Sequence, residues 1–584
     1  MTGYTPPLAD IRMALRLHGR MPRLAEFEAF TEAAPDLVES ILEEAARLAV
    51  QVLAPLNRTG DLDGARLENG RVRTTPGWSE AWSMLVEGGW NGVSAPAVYG
   101  GMGLPQVLNL AVQEMWHSAN MAFALCPMLT LGAANAIEAY GSPDQKARFL
   151  PRLTSGEWTG TMNLTEPAAG SDLAAVATRA VPDGDGYRIR GQKIFITYGD
   201  HDMAGNIVHL VLARLPDAPP GVRGISLFIV PKILADGTVN DLRCLSLEHK
   251  LGIHGSPTAV LSFGEAGGAR GELVGEPHRG LEYMFAMMNH ARLNVGLQGL
   301  AIAERAYQQA LSYARERRQG QPLGAAPGAT IIEHPDVRRM LMSMKSRIQA
   351  MRGLLYEVAG AHDIAHAHPD EAVRAEAMRK VELLTPIAKG WCTETGIEIA
   401  SLAVQIHGGM GYIEETGVAQ HWRDSRITTI YEGTTGIQAN DLVGRKLIRD
   451  KGSAARALLD GMAAECQALA EGPLAADAAM LADGVGQAGR AIDRVLAAAA
   501  GEDQRLPFAG AVPLLHLMGV LLGGRVLLQS AAAAVESGNP SGDRGEAIGL
   551  LRFYMAHCLP QVAAQAVAAT EGAAAVFALP AEAL

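Results

Sequence analysis

The chain has 584 residues, a mass of 61.7 kDa and a formal net charge of −12 at pH 7. Hydrophobic residues make up 48% and charged residues 19%, which excludes wholesale disorder and is typical of a globular protein. The acidic balance argues against a nucleic-acid-binding protein, because contacts to phosphates need Lys and Arg. The five cysteines are scattered and include no C-x-x-C pair, which disfavours a disulfide framework or a metal site and fits a reducing compartment.

The chain ends and its most apolar segment bear on location. The N-terminus has no apolar stretch ahead of a small-residue cleavage site, so we expect no signal peptide. The most apolar late stretch, residues 511–524, is too short to span a bilayer and contains His516. It is therefore expected to be a buried helix, and the protein is expected to be cytoplasmic.

The first part of the chain has a helical pattern. Residues 1–35 form an N-terminal extension, and residues 36–158 are expected to be a helical domain. In residues 37–56 apolar side chains recur at three- and four-residue spacing, which predicts a helix that ends near Pro55. Residues 90–105, rich in Gly and Pro, predict a loop between helices.

The period changes in residues 159–280, which are expected to form a small β domain. Residues 187–197 alternate after the turn signal DGDG, and three more short segments rich in branched residues follow at 206–215, 224–231 and 258–263. No helical pattern of normal length separates these strands. The sheet is therefore predicted to be antiparallel or barrel-like rather than parallel and doubly wound.

Helical patterns return for the rest of the chain. Residues 281–450 contain long amphipathic stretches at 294–318 and 337–361, which predict a helix bundle. Residues 451–584 are Ala-rich, carry eight Lys and Arg against thirteen Asp and Glu, and predict an additional helical domain without a chemical motif. The expected fold is thus mainly α with a small central β domain.

Two segments of the β region could hold a flat or anionic ligand. In LTEPAAGSD, residues 164–172, small residues around Gly170 leave backbone N–H groups accessible, and Thr165 and Ser171 add hydroxyls. In IFIT, residues 194–197, Phe195 and Thr197 point to one face of a strand. The alternatives are a surface turn and ordinary sheet packing.

Two further segments lie in the helical region. RERRQGQ, residues 315–321, is an Arg cluster that could clamp a pyrophosphate or could simply complement a helix dipole. In QIHGGMGY, residues 405–412, Gly408, Gly409 and Gly411 let the backbone approach a ligand closely. No strand pattern precedes these glycines, which excludes a Rossmann dinucleotide turn.

The last segment, IYEGTTGIQ at residues 430–438, holds a candidate general base. Glu432 follows an apolar pair, and a carboxylate among apolar neighbours can have its pKa raised by desolvation. Thr434 or Thr435 is placed to cap the next helix. The alternative is a partly exposed loop glutamate.

These five motifs, together with residues 141–158, resemble the acyl-CoA dehydrogenase family in their order and spacing, over residues 40–450. The resemblance implies an α–β–α fold and FAD-dependent α,β-desaturation of an acyl-CoA thioester to the trans-2-enoyl-CoA. It implies that Glu432 removes the α-proton and that the flavin N5 accepts the hydride. The thioester carbonyl would accept hydrogen bonds from the Glu432 N–H and a ribityl hydroxyl of FAD.

The resemblance also implies binding residues. FAD contacts are expected from Thr165, Gly170, Ser171, Phe195, Thr197, Arg317, Gln319, Gln405, Gly409, Thr434 and Gly436. Of these, Arg317, Gln319, Gln405 and Gly409 would reach the FAD of a neighbouring subunit. Contacts to the acyl-CoA are expected from Ser171, Asn289, Arg292 and Gly433.

The chain ends resemble a larger bacterial branch of the family. Within it, the expected substrate is 3-methylmercaptopropionyl-CoA, oxidised to methylthioacryloyl-CoA in dimethylsulfoniopropionate catabolism. The alternatives are a fatty acyl-CoA dehydrogenase, an acyl-CoA oxidase and a DNA-binding flavoprotein, the last disfavoured by the acidic extension. Family resemblance further implies electron-transferring flavoprotein as the electron acceptor, and we expect a homodimer in which the extension replaces the support of extra subunits.

Overall fold

The computed structural model describes residues 3–537 and 542–584 and divides into two compact units. The helical unit comprises Met1–Thr31, Gln106–Glu114 and Val295–Leu584. The barrel unit comprises Glu32–Pro105 and Met115–Asn294.

Helices account for most of the described residues. In chain order they are α1 Leu8–Leu17, α2 Met21–Leu24, α3 Pro35–Leu48, α4 Ala54–Asp63, α5 Trp78–Glu87, α6 Gln106–Tyr140, α7 Pro143–Ser155, α8 Gly280–Glu316, α9 Pro335–Ala367, α10 Glu371–His407, α11 Val418–Ser425, α12 Thr435–Asp441, α13 Ser453–Ala468, α14 Ala475–Ala499, α15 Leu506–Ala509, α16 Ala511–Glu536, α17 Gly542–His557 and α18 Gln561–Ala569.

The strands lie in the barrel unit. They are β1 Arg66–Glu68, β2 Arg71–Arg73, β3 Trp158–Asn163, β4 Arg179–Asp183, β5 Gly186–Thr197, β6 Asn206–Arg214, β7 Ile225–Pro231, β8 Leu242–Leu247, β9 Thr258–Phe263 and β10 Ala269–Leu273. A mainly helical chain with a small central β domain is therefore observed, as the sequence predicts.

The central sheet closes on itself. Strands pair in the order β10–β7–β6–β4–β5, and β10 also pairs with β5, so these five strands form a ring, with β9 and β8 extending from β5. Most pairs are antiparallel, but β3 and β4 each pair with β6 in parallel. The expected barrel is confirmed, while the sheet is mixed. Its core is filled by small and branched side chains such as Ala180, Ile189, Val211, Leu261 and Ala269.

The predicted end of the first long helix is wrong. The chain stays helical through Pro55, because a wide π-helical turn at Ala49–Leu53 joins α3 to α4. Pro55 directly follows this turn, whose wider i→i−5 bonding leaves room for a ring that has no backbone N–H.

The helical unit is built around α9, α10 and α16. Helices α16 and α10 approach each other closely where Gly519 faces Trp391. A Cβ at Gly519 would lie only 2.2 Å from the indole Cγ, so this approach requires glycine. Arg525 of α16 is bound to Glu357 of α9 and to Glu465 of α13. The C-terminal extension is thereby packed onto the rest of this unit through both apolar and charged contacts.

Within the described residues, two helices, α6 and α16, are long and apolar enough to cross a membrane by length and composition. Because α16 continues to Glu536, length alone does not exclude a span, contrary to the expectation from residues 511–524. Their most apolar windows are 94% and 83% buried inside the protein, as expected for core helices.

Candidate active site

The LTEPAAGSD loop follows β3 in the barrel unit and is bonded to β5. The Ile194 N–H donates to the Thr165 carbonyl at 3.0 Å, and the Lys193 ammonium donates to the Leu164 carbonyl at 3.0 Å. Thr165 is half-buried beside the strand, whereas Gly170 and Ser171 are exposed. The structure thus brings Thr165 next to the strand that carries Phe195 and Thr197.

A buried ion pair holds this arrangement together. Lys193 is 0% exposed and binds the Glu166 carboxylate at 2.8 Å, and that carboxylate also accepts the Ala177 and Thr178 N–H groups. Burial lowers the pKa of Lys193 to about 8 against the opposing effect of Glu166. Burial raises the pKa of Glu166, but Lys193 and the hydrogen bonds outweigh it, so the net pKa is lowered.

The strand is irregular where it carries the candidate flavin contacts. The register between β5 and β9 shifts between Lys193 and Ile196, and Phe195 has φ of 60°. At this bulge Phe195 is 57% exposed, while Thr197 is half-buried. An aromatic ring in a strained backbone position and open to solvent is better suited to contact a ligand than to pack in the sheet.

In the helical unit, the ends of α8 and α10 meet. The Tyr313 and His407 rings stack with centroids 4.3 Å apart, one turn from Arg317 and next to the GGMG segment. The side chains of Arg317 and Gln319, and residues Gln405 and Gly409, are exposed at this end. The structure therefore brings together the four residues that the resemblance assigns to a neighbouring subunit's FAD.

Glu432 lies in a tight loop ahead of α12. It has φ of 54° and is half-buried, and Gly433 follows with φ of 89°. Thr434 caps α12 by accepting the Ile437 N–H at 3.2 Å, as one of the two sequence alternatives predicts. Gly436 lies in the first turn of that helix, so four predicted residues share one short segment.

Buried polar side chains surround this loop. The Lys389 ammonium donates to the Gly433 carbonyl at 2.6 Å, and the Gln438 amide donates to the Glu432 carbonyl at 3.1 Å. Tyr431 donates its hydroxyl to Gln298. Burial, with Glu432 nearby, raises the pKa of Tyr431, so this phenol stays neutral.

Two of the four residues expected to contact the acyl-CoA, Asn289 and Arg292, lie on the N-terminal part of α8, in the barrel unit. Asn289 is exposed, whereas Arg292 is 5% exposed with its guanidinium 6.0 Å from the Phe285 ring centre. Met284 and Met287 of the same helix are fully buried. In the described residues, no group of three or more His, Cys, Asp and Glu side chains could hold a metal ion.

Comparison with known proteins identifies the family. Three models match in order, described as the acyl-CoA dehydrogenase N-terminal domain (residues 37–157), middle domain (161–266) and C-terminal domain (278–447). A fourth, described as acetyl-CoA dehydrogenase C-terminal like, matches residues 458–580. The chain belongs to the acyl-CoA dehydrogenase family. It is therefore an FAD-dependent oxidoreductase, which confirms the expected enzyme class and cofactor.

Individual relatives cover almost the whole chain. The 3-methylmercaptopropionyl-CoA dehydrogenase of Ruegeria pomeroyi is 51% identical over 541 residues, 91% of each chain. A butyryl-CoA dehydrogenase of Syntrophomonas wolfei is 35% identical over 96% of this chain and 95% of its own. An acyl-CoA dehydrogenase of Bacillus anthracis solved with FAD has a TM-score of 0.76, with 21% identity over 94% of this chain and 90% of its own.

Sequence reasoning missed four buried polar residues around these segments. Lys193 and Glu166 fix the first loop, and Lys389 and Gln438 bind the second. The sequence signal for such residues is a polar residue at a position of a strand or helix whose neighbours are apolar. That signal shows burial, but it does not name the partner.

Proposed function

We propose that this acyl-CoA dehydrogenase oxidises 3-methylmercaptopropionyl-CoA to methylthioacryloyl-CoA. The observation that carries the proposal is the 51% identity to a dehydrogenase of that name across 91% of both chains. The 35% identity to a butyryl-CoA dehydrogenase over a similar span supports the same reaction class with a different acyl group.

The residues of the barrel unit fit a flavin. The exposed Phe195 ring offers a surface for a flat heterocycle, and Thr165 and Thr197 offer hydroxyls beside it. Gly170 and Ser171 leave an open loop tip, since a Cβ at Gly170 would meet nothing within 4 Å. We propose that these residues hold FAD together with Thr434 and Gly436, and that Ser171 also contacts the acyl-CoA. When bound, FAD supplies the acceptor for the hydride from the β-carbon.

The chain's own part in the reaction is to move a proton and to orient the thioester. A carboxylate oxygen of Glu432 takes the proton from the α-carbon, and the Glu432 N–H donates to the thioester carbonyl, which makes that proton more acidic. Gly433 lies beside the acyl group, and Asn289 and Arg292 are the proposed CoA contacts. The products are the trans-2-enoyl-CoA and reduced flavin.

Substrate choice is tested by comparing acyl-CoAs with a one-electron dye as acceptor. We expect kcat/KM for 3-methylmercaptopropionyl-CoA to exceed that for butyryl- and octanoyl-CoA by at least about 10-fold, which corresponds to about 1.4 kcal/mol. Mass spectrometry should show a product lighter by two hydrogens. Higher kcat/KM for a straight-chain acyl-CoA would favour a fatty acyl-CoA dehydrogenase, and rapid oxygen consumption without dye would favour an oxidase.

We also propose the remaining features of the assembly. The proposed electron acceptor is electron-transferring flavoprotein, and the proposed location is the cytoplasm. The proposed domain limits are 1–35, 36–158, 159–280, 281–450 and 451–584. Arg317, Gln319, Gln405 and Gly409 are proposed to reach the FAD of the second subunit of a homodimer. Light scattering should give a mass of two chains, and a tetramer would contradict the proposed role of the extension.

A further inference from the structure

The loop of Glu432 adopts a backbone conformation that needs support. Glu432 and Gly433 both have positive φ, 54° and 89°. For a glutamate this left-handed conformation is unfavourable, because its Cβ crowds the following carbonyl. Such a residue persists only when its surroundings over-determine its conformation.

Two buried side chains bind the carbonyls on either side of this turn. Lys389, in the middle of α10 and 0% exposed, donates to the Gly433 carbonyl at 2.6 Å. Gln438, also 0% exposed, donates to the Glu432 carbonyl at 3.1 Å and lies 3.4 Å from the Gly433 carbonyl. The orientation of both peptide groups after Glu432 is thereby fixed from outside the loop.

The packing leaves little freedom for another arrangement. A Cβ at Gly433 would lie 2.7 Å from the Gln438 amide nitrogen, so any larger residue would displace that donor. The Thr435 hydroxyl donates to Glu394 at 2.6 Å, which ties the start of α12 to α10. The segment after Glu432 is therefore held to α10 at two points, through Lys389 at the Gly433 carbonyl and through Glu394 at the Thr435 hydroxyl.

We propose that Lys389 and Gln438 are positioning residues for Glu432, an inference that rests on the proposed role of Glu432 as the base. They hold the carbonyls of residues 432 and 433, which keeps Glu432 at positive φ and fixes the direction of its carboxylate and of its N–H. Neither side chain needs to touch the substrate. Their contribution is to keep the base and the thioester donor in place during proton abstraction.

The test uses Lys389→Met and Gln438→Leu in the FAD-loaded enzyme. Both changes remove a donor at nearly constant volume, and the Gln438 Oε1 atom has no hydrogen-bond partner to lose. A displacement of the base by about 1 Å is expected to lower kcat about 100-fold for Lys389→Met, with KM changed less than about 3-fold. Gln438→Leu should lower kcat about 10-fold, since the stronger donor to the loop remains.

A second readout isolates proton abstraction. In a 3-thiaacyl-CoA, sulfur replaces the β-carbon, so no hydride can leave and only the α-proton exchanges. In D2O, the rate of α-hydrogen exchange per bound flavin should fall by the same factor as kcat in both variants. Lys389→Arg, which retains a charged donor, should recover exchange to within about 10-fold of wild type.

The control is Lys380→Met, on the same helix, which removes an ammonium bound to Glu357 at 2.6 Å. It should leave kcat and exchange per flavin unchanged. A purely structural role for Lys389 would lower FAD content and the unfolding temperature but leave exchange per flavin at the wild-type rate, and that result would overturn the inference. If Glu432→Gln itself retained exchange, the proposed function would fail instead.

Discussion

Arg525 provides a direct test of how the C-terminal extension is attached within the helical unit. Its guanidinium binds both carboxylate oxygens of Glu465 at 2.7 and 2.8 Å and one oxygen of Glu357 at 2.8 Å. Glu357 is 7% exposed and also binds Lys380 at 2.6 Å. Arg525→Met keeps most of the side-chain volume and removes all three hydrogen bonds.

The expected loss can be estimated from burial. Removing one partner of a buried ion pair costs about 3–5 kcal/mol, because the other charge remains buried. Glu357 keeps Lys380, and the Glu465 side chain is 35% exposed, so we expect the lower end of that range, about 3 kcal/mol. This corresponds to an increase of about 100-fold in local opening of the extension.

Hydrogen exchange followed by mass spectrometry measures this opening directly. Peptides from α13 and α16 should lose about 100-fold of their protection in Arg525→Met. The matched control is Arg494→Met, whose pair with Glu571 is 60% and 65% exposed, so its effect should stay below about 1 kcal/mol. Equal protection in the two variants would refute a role for Arg525 in attaching the extension.

The ion pairs of Glu357 also predict that the free energy of unfolding depends on pH. Burial raises the pKa of Glu357, but Lys380 and Arg525 outweigh it and lower the pKa from 4.5 to about 2. A carboxyl with a lowered folded-state pKa stabilises the fold above its unfolded pKa and loses that contribution as pH falls. The difference in unfolding free energy between wild type and Arg525→Met should therefore shrink between pH 4.5 and 2, and a constant difference would contradict the assignment.

Two further substitutions test other parts of the account. Lys193→Met should lower the free energy of unfolding by about 3 kcal/mol and the FAD affinity at least about 10-fold, because buried Glu166 loses its cation. The control is Lys232→Met in the same barrel, and equal flavin retention in the two variants would contradict this prediction. Burial raises the pKa of Asp363 from 3.8 to about 7, so the folded state binds more protons in that range and unfolding free energy should fall as pH rises, by on the order of 1 kcal/mol per pH unit. Asp363→Asn should abolish this slope in calorimetric unfolding, and an unchanged slope would show that another group causes it.

Local patterns predicted the fold class, several of the strands and the cap of α12. The alternation in residues 187–197 corresponds to β5, and the predicted strand at 258–263 corresponds to β9 without change. Thr434 caps α12 because capping depends only on residues within one turn. These predictions succeeded because the interactions that decide them are close in sequence.

Other features depend on partners far along the chain. The parallel pairing of β3 with β6 joins Trp158 to Asn206, which no local pattern specifies. The helix that continues through Pro55 depends on a π-helical turn, which the spacing of apolar side chains does not reveal even though it is local. Lys389 meets its carbonyl acceptor 44 residues later, so the sequence marks it only as a polar residue in an apolar stretch.

An anaerobic titration of the purified, FAD-loaded protein with 3-methylmercaptopropionyl-CoA, followed by visible absorbance, tests the proposed substrate and the proposed base together. We expect the oxidised flavin spectrum of the wild type to bleach with about one equivalent. Glu432→Gln should bind FAD normally but bleach more slowly by at least about 1,000-fold, because it lacks the base. Glu415→Gln, which removes an exposed carboxylate of the same helical unit, should behave as wild type. Failure of the wild type to bleach with this substrate, or rapid bleaching of Glu432→Gln, would contradict the account.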